Sequence, residues 1–358
     1  MKPCWQDPTV SITTSTNSSS RMRRQRLEPM LRARIEAHFN RMWYERQRPP
    51  LPYRLMAASF RALAQHRFQR PRLKPPAPVI VVGNLTVGGG GKTPLVIALA
   101  RYLTATGRRV AVISRGYGGR EGNSPLRVTD PADPARFGDE PVLIAESTGV
   151  PVWICRRRAE ALAAAMEAGA DVVLSDDGLQ HAALARSFEI CLIDGQRGLG
   201  NGWLLPAGPL RQPVERLQEV DLVLVKGAGD PVDGAVRVDL KPERLAALDG
   251  SFRLEPEALQ GQTVTALCGI ANPQGFIQTL TDLGMLVRPR IFPDHHPFSA
   301  SDLADLQGPV VVTAKDAVKL RRMGGDQTIH VLEVGMPLPD QVRTAIERHL
   351  TEWNISHE

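Results

Sequence analysis

The sequence predicts an α/β protein built on a doubly wound parallel sheet, followed by a second, smaller α/β domain. Three observations carry that reading. Short β-branched runs recur with helical segments between them, the pattern of strands buried on both faces. Four glycines, Gly88 to Gly91, separate one such strand from a helical run. A second set of strand and helix patterns begins near residue 263, beyond a Gly/Pro-rich stretch.

The bulk properties bound the reading. At 358 residues and 42% hydrophobic content the chain is long enough for two cores. Cys4, Cys155, Cys191 and Cys268 lie far apart with no C-x-x-C spacing. That usage points to reduced thiols in a cytoplasm rather than to disulfides or zinc. No run approaches the roughly 18 apolar residues of a membrane span, and the Ser/Thr-rich start lacks the apolar segment of a secretory signal. Charge is uneven: residues 1–74 hold 16 Lys and Arg against 4 Asp and Glu, and the remainder holds 28 against 34. Such a basic arm suits an anionic partner, either nucleic acid or an anionic bilayer surface.

Taken in order, residues 1–29 read as a disordered, low-complexity tail. Residues 30–77 read as two basic amphipathic helices separated at Pro49-Pro50, with Leu31, Ile35, Phe39, Met42 and Trp43 on one and Leu55, Met56, Phe60 and Leu63 on the other. These helices either pack on the following domain or lie at a membrane interface, where Trp and Phe beside arginines suit the headgroup boundary. Nucleic acid is disfavoured, because the aromatics side with the apolar face instead of interleaving with the arginines.

Residues 78–228 read as a nucleotide-binding core. Val79, Ile80, Val81 and Val82 form a buried strand, the glycines curl the backbone, and Lys92-Thr93 open a helix. Strand, glycine turn and helix make a P-loop, with backbone amides and the helix dipole facing phosphate, Lys92 reaching the β/γ oxygens and the Thr93 hydroxyl able to ligate Mg²⁺. The match is partial: G-x-x-x-x-G-K-[ST] needs a glycine at Thr86. Further strands fall at 108–113, 150–155, 172–174, 188–193 and 222–225. Residues 229–358 read as the second domain, opening with a junction over 230–250. Its strands fall at 263–267, 286–292, 310–313 and 329–334, with helices from Pro273 and over 339–350.

In a parallel sheet, ligands sit beyond the carboxyl ends of the strands, and four polar clusters fall there. Asp176-Asp177 ends an apolar strand, the arrangement that sets a carboxylate beside P-loop Mg²⁺, although aspartate also caps helices. Asp139-Glu140 precedes an apolar helix and reads equally as a cap. His295-His296 follows Asp294; with no third ligand nearby, a histidine polarised by a carboxylate fits better than zinc. Arg211 closes a Gly/Pro-rich loop and could offset charge on a transferred phosphoryl group.

Seven motifs then occur in fixed order: Gly83-Asn84-Leu85-Thr86-Val87-Gly88-Gly89-x-Gly91-Lys92-Thr93-Pro94, Ser114-Arg115-Gly116-Tyr117-Gly118, Gly138-Asp139-Glu140-Pro141, Asp176-Asp177-Gly178-Leu179-Gln180-His181, Leu205-Pro206-Ala207-Gly208-Pro209-Leu210-Arg211, Phe292-Pro293-Asp294-His295-His296 and Thr313-Ala314-Lys315-Asp316-Ala317-Val318-Lys319. Together they resemble the tetraacyldisaccharide 4′-kinase family, from about Leu31 to the end of the chain. The resemblance implies a P-loop NTPase-like fold and an ATP- and Mg²⁺-dependent phosphorylation of the 4′-hydroxyl of an acylated glucosamine disaccharide 1-phosphate, in lipid A biosynthesis. It implies Asp139 as general base paired with His295, nucleotide contacts from Thr86, Val87, Gly88, Gly89, Gly90, Gly91, Lys92 and Thr93, and metal contacts from Thr93, Asp176 and Asp177. Arg211 is expected near the transferred phosphate, and substrate contacts at Glu140, Arg115, Tyr117 and Gln180. The expected setting is peripheral, on the cytoplasmic face of the inner membrane, with its anionic surface as partner and neither nucleic acid nor an obligate protein partner. Gly90, Gln212 and Ala314 depart from residues common in the family (Thr, an acidic residue and Glu).

The first rival reading is another soluble P-loop enzyme, either a small-metabolite kinase or a partition-type ATPase, the latter argued against by Val87 where that loop carries an extra lysine; GTP is argued against by the lack of N-K-x-D. A nucleotide-switched nucleic-acid or membrane adaptor is the rival from another class.

Overall fold

The computed structural model describes residues 35, 37–68, 74–119, 122–129, 131–229, 232–323 and 329–356. The expected tail over 1–29 and the first residues of the first basic helix lie outside them, as does the Leu63 side chain. The helices are α1 (37–44), α2 (Leu51–Phe68), α3 (Lys92–Ala105), α4 (Pro134–Phe137), α5 (Asp139–Thr148), α6 (Arg158–Glu167), α7 (Pro273–Asp282), α8 (Ala300–Leu303), α9 (Ala314–Leu320) and α10 (Asp340–Ile355).

The first sheet has eight strands: β1 (Val79–Gly83), β2 (Val110–Ser114), β3 (Leu126–Arg127), β4 (Val152–Ile154), β5 (Val172–Asp176), β6 (Phe188–Asp194), β7 (Leu222–Lys226) and β8 (Val236–Val238). Their spatial order is β3-β4-β2-β5-β1-β6-β7-β8, and only the β3–β4 pairing is antiparallel. Alternation along β1 explains why its run is apolar throughout. Ile80 and Val82 meet α3, α5 and α10 through Leu99, Ile144 and Ile346, whereas Val79 and Val81 meet α6 and α2 through Leu162 and Ala57. Both faces are covered, so a polar residue in β1 would be buried on either side.

The second sheet comprises β9 (Lys241–Ala247), β10 (Arg253–Leu254), β11 (Thr263–Cys268), β12 (Leu286–Ile291), β13 (Val310–Thr313) and β14 (Ile329–Gly335), in the order β10-β9-β14-β13-β11-β12. Its core lies between α7, through Phe276 and Leu280, and α9, through Ala317 and Leu320.

Three features differ from the sequence reading. The stretch 230–250, read as a junction, carries β8 and β9, which belong to different sheets. Lys241-Pro242-Glu243-Arg244 is too polar to read as a strand, because that half is only partly covered. The closing helix, assigned by sequence to the second domain, packs in the first core: Val342, Ile346 and Leu350 are almost fully buried there. Finally, the apolar residues of α2 split between two faces. Tyr53 and Phe60 join Ala57 in the first core, while Leu55 and Met56 point outward with Leu51, more than half exposed. One side of the helix thus packs on the first core, and the other leaves apolar side chains exposed.

Because Ile346 is wholly buried at the end of the chain, Ile346→Ala should lower the unfolding free energy by about 2–5 kcal/mol. Chemical denaturation followed by far-UV circular dichroism measures it. A change below about 0.5 kcal/mol, the range of surface substitutions, would mean that α10 is not part of the first core.

Candidate active site

β1 ends at Gly83, and the loop to α3 is shaped by its glycines. Gly91, the N-cap of α3, has φ 87, a left-handed conformation that costs a side-chain-bearing residue. The amides of the first α3 turn point into a cleft of about 1160 Å³ that runs between the two lobes, lined by the stretch from Gly88 to Pro94. Thr86 and Val87 stand apart from it. Thr86 bridges to Leu210 and the Val87 amide donates to Pro209 O at 2.9 Å, so both anchor the rear of the loop and the cradle starts at Gly88.

Lys92 Nζ lies 2.9 Å from Asp177 Oδ1 and donates to Asn84 Oδ1 at 3.0 Å. Arg211 Nη1 reaches the same carboxylate, 3.1 Å from Oδ2, and Gln180 Oε1 at 3.2 Å. Gln180 in turn donates to Asn84 O and to Gln212 Oε1. Gln212 is buried, so a neutral amide there satisfies Gln180 without adding a second anion beside Asp177. Burial would raise the Asp177 pKa, but Lys92 and Arg211 outweigh it and hold the carboxyl well below the usual range. Asp176 has the opposite surroundings. Burial first, then the Glu140 and Asp177 carboxylates, raise its pKa to about 7, and its buried Oδ1 has no hydrogen-bond partner among the described residues.

On the opposite wall, His295 Nδ1 lies 3.0 and 3.1 Å from the two carboxylate oxygens of Asp139. The pairing joins the lobes: Asp139 starts α5, and His295 follows β12. Gly138 permits it. With φ 88 it turns the chain so closely against Tyr117 O that a Cβ would lie 2.5 Å away. His295 itself has φ 61, as Asp177 has 50, so two non-glycine residues with left-handed backbones both fall in this site. The ring pKa is raised, chiefly by the Asp139 hydrogen bond, against burial and Lys315. Asp139 is lowered: burial acts upward, and the His295 bond with Lys315 and Lys319 overrides it.

The substrate candidates also converge. Tyr117 places its ring 5.2 Å from that of His295. Glu140 pairs with Lys315 at 3.0 Å, and Arg115 and Gln180 line the same cleft. Sequence reasoning passed over Lys315, which also reaches Asp294 and His295 Nε2, each at 3.4 Å. Its signal was the Lys315-Asp316 pair at the end of β13. Arg158 was missed for another reason. Its guanidinium is buried and donates to the carbonyls of Asp176 and Cys155, a role that a lone arginine in a helix does not advertise. His296, the other half of the histidine pair, stacks on Phe292 and bonds Asp302 at 3.1 Å.

Thr93, Asp176 and Asp177 offer hard oxygen donors, and the unpartnered Asp176 Oδ1 beside two further carboxylates is a position that a cation would satisfy. Among the described residues no three His, Cys, Asp or Glu side chains gather tightly enough for a closed metal site. Oxygen donors of this kind beside an orphaned carboxylate oxygen fit Mg²⁺, which takes one or two carboxylates and completes its shell with phosphate and water.

Comparison with known proteins identifies the family. The family described as tetraacyldisaccharide-1-P 4′-kinase, LpxK, matches residues 51–351. Proteins named tetraacyldisaccharide 4′-kinase are similar in Alcanivorax borkumensis, 47% identical over 77% of this chain and 86% of that one, and in Pseudomonas aeruginosa, 43% identical over 83% and 92%. The crystal structure of an "apo" form of LpxK from Aquifex aeolicus in complex with ATP superposes with a TM-score of 0.67 at 27% identity, over 84% of this chain and 98% of that one. By sequence and fold, the chain belongs to the tetraacyldisaccharide-1-P 4′-kinase family.

Proposed function

We propose that this protein transfers the γ-phosphoryl group of ATP to the 4′-hydroxyl of a tetraacyldisaccharide 1-phosphate. The observation that carries the reading is one cleft lined by both a P-loop lysine and His295, whose ring is backed by the buried Asp139 carboxylate. A nucleotide switch needs the first and has no use for the second.

The amides at the start of α3 and Lys92 hold the phosphates. Arg211, on the same carboxylate as Lys92, offsets charge on the equatorial oxygens of the group in transfer. Thr93, Asp176 and Asp177 are the residues that would hold Mg²⁺, which would supply positive charge to the non-bridging oxygens of the β- and γ-phosphates. Asp176 has the free lone pair for it, since both oxygens of Asp177 are engaged by Lys92 and Arg211. A sugar hydroxyl is a poor nucleophile, so its proton must leave as its oxygen bonds to phosphorus and the bond to ADP breaks. Asp139, paired with His295, takes that proton. One observation favours a variant of this step: Asp139 is 5% exposed and lies behind His295, whose ring lines the cleft. In that variant His295 Nε2 accepts the proton and Asp139 orients the ring through Nδ1–H, with this tautomer assigned from the hydrogen-bond network.

The acceptor carries acyl chains, so the enzyme must work at a bilayer. No helix among the described residues is long and apolar enough to cross a membrane. The outward Leu51, Leu55 and Met56, beside exposed Arg54 and Arg61, suit a peripheral contact with the anionic inner-membrane surface on its cytoplasmic side.

Three expected outcomes test these assignments. Radiolabel from γ-labelled ATP should appear in tetraacyldisaccharide 1-phosphate in detergent micelles, and Asp139→Ala and His295→Ala should each cut kcat by about 10²–10⁴ with the fold intact. An unlabelled lipid from folded, ATP-binding protein would sink the reaction.

By NMR, His295 should titrate above 6.5 in the nucleotide-free protein and lower in Asp139→Asn, where burial and Lys315 act unopposed. The sign follows. The His295 contribution to stability is full below the unfolded value and is lost as pH rises through the raised one. That of Asp139 is full above 3.8 and is lost as pH falls through its lowered value. If the acid limb of the kcat profile follows the His295 titration, His295 is the acceptor. A limb at carboxylate pH keeps Asp139.

The double variant Leu51→Glu/Leu55→Glu should bind anionic vesicles several-fold more weakly at unchanged thermal stability. Equal partitioning would refute the interfacial role of α2.

A further inference from the structure

Two lysine–aspartate pairs flank the glycine loop, and the reaction above uses one of them. Lys92 is held by Asp177, beyond β5. On the far side of β1, Lys226 Nζ lies 2.8 Å from Asp194 Oδ2, the two residues ending β7 and β6. With the strands ordered β5-β1-β6-β7, the loop that follows β1 is bracketed by both pairs.

The placement of Lys226 is electrostatically unfavourable by itself. A Cβ built on Gly91 would lie 3.0 Å from Lys226 Cδ and 3.5 Å from its Nζ, so the side chain lies across the N-cap of α3. The amides of that first turn carry the positive end of the helix dipole, which disfavours a neighbouring ammonium. Only 15% of the Lys226 side chain is exposed, so water does little to relieve the repulsion. Asp194 offsets it, while its other oxygen accepts the amides of Gln196 and Arg197 at 3.1 and 3.3 Å. Both Lys226 and Asp194 line the cleft. An anion entering the cradle meets the helix amides and the ammonium together and reverses the sign of the arrangement.

We propose that Lys226 is a second phosphate-binding lysine, which takes the α- and β-phosphate oxygens of ATP from the side opposite Lys92, with Asp194 as its resting partner. The direction follows from the site. His295, Asp139 and Asp177 lie on the β5 side, where the transferred group must point, so the earlier phosphates lie toward β6 and β7. The assignment rests on the reading of the cleft as an ATP site, and it makes Lys226 a binding group, outside the proton transfer.

Lys226→Met keeps the stem and removes the charge; Lys226→Arg keeps the charge. Because Lys226→Met strands a buried carboxylate, Lys226→Met/Asp194→Asn is measured beside it, with thermal unfolding recorded for each. Binding of ATP and ADP is read on the full chain without acceptor lipid, by displacement of a fluorescent ATP analogue. Both charge-removing proteins should bind ATP and ADP about tenfold more weakly, the loss expected for one charge-assisted contact. Lys226→Arg should stay within about threefold of the parent. The KM for ATP should rise by the same factor, and kcat at saturating ATP should hold within about threefold, as for uniform binding. A dissociation constant within twofold of the parent in both folded, charge-removed proteins overturns the proposal. So does a tenfold loss shared by Lys226→Arg, which would make the stem a packing surface for the nucleoside. A parent protein that binds ATP yet phosphorylates no lipid defeats the proposed reaction and leaves this assignment standing.

Discussion

The shared carboxylate of Asp177 is the contact on which the phosphate end of the site depends. It receives Lys92 from the glycine loop and Arg211 from a segment that the chain reaches more than a hundred residues later. Each cation alone would be repelled by the other and by the dipole of α3. Between them Asp177 makes the cluster tolerable without ligand. The surrounding bonds serve that placement. Arg211 N donates to Leu85 O at 2.7 Å, pinning the arginine to the strand end from which the glycine loop starts, and Asn84 and Gln180 tie both sides together. The left-handed backbone of Asp177 is the strain this arrangement retains. Its neighbour Asp176 has the opposite surroundings: its inner oxygen has no hydrogen-bond partner among the described residues, and burial with the Glu140 and Asp177 carboxylates raises its pKa to about 7.

The acceptor end is held differently, by contacts that cross between the lobes. Asp139 and Glu140 open α5 on the first lobe. His295 and Lys315 belong to the second, and the pairs Asp139–His295 and Glu140–Lys315 are both near 3.0 Å. Lys315 is buried, which disfavours its charge, yet Glu140, Asp139 and Asp294 raise its pKa above the usual lysine value. It stays cationic and so resists a second proton on the facing His295 Nε2. The buried Asp316 fixes the helix that carries it, accepting from Thr313 Oγ1 and from the Gly269 amide. Every acidic group in this wall thus meets a cation or a donor.

Much of this was legible in the sequence, and the reasons differ by residue. Strands buried on both faces declare themselves by composition, which is why β1, β5 and β6 were readable. The strand β9 was not, because half of it is polar and partly covered, and its identity comes from pairing with β14 and β10. Gly88 to Thr93 were legible because a phosphate cradle dictates residue types locally. Asp139 and His295 are 156 residues apart; each alone reads as a helix cap or a loop histidine, and only the resemblance paired them. The resemblance gave Thr86 and Val87 as nucleotide contacts; the Thr86 bridge to Leu210 and the Val87 bond to Pro209, which tie them to the rear of the loop, are tertiary facts. Lys226 was silent for the same reason, as a lysine ending a strand resembles any solvated lysine.

The loop that delivers Arg211 also answers how a surface-active end and a phosphate end act as one body. Trp43 of α1 donates its indole N–H to Pro206 O, and Asn201 bonds the backbone of Met42, Trp43 and Ala207. Arg54 of α2 lies over the Trp203 ring, 5.2 Å from its centroid. Five residues on from Pro206 the same loop reaches Arg211, having paired with Val87 behind the glycines. The inward stripe of α2, Tyr53, Ala57 and Phe60, fixes the helix on the first core, and that in turn fixes where Leu51 and Leu55 point. An acceptor whose acyl chains stay in a bilayer can offer its hydroxyl only within a narrow range of heights above the surface. A helix hinged loosely to the body would leave that height undefined. On the membrane contact proposed above, the apolar face, anchored through one short, densely bonded loop, would set the distance from the membrane plane to Arg211 and with it to the phosphate end of the cleft.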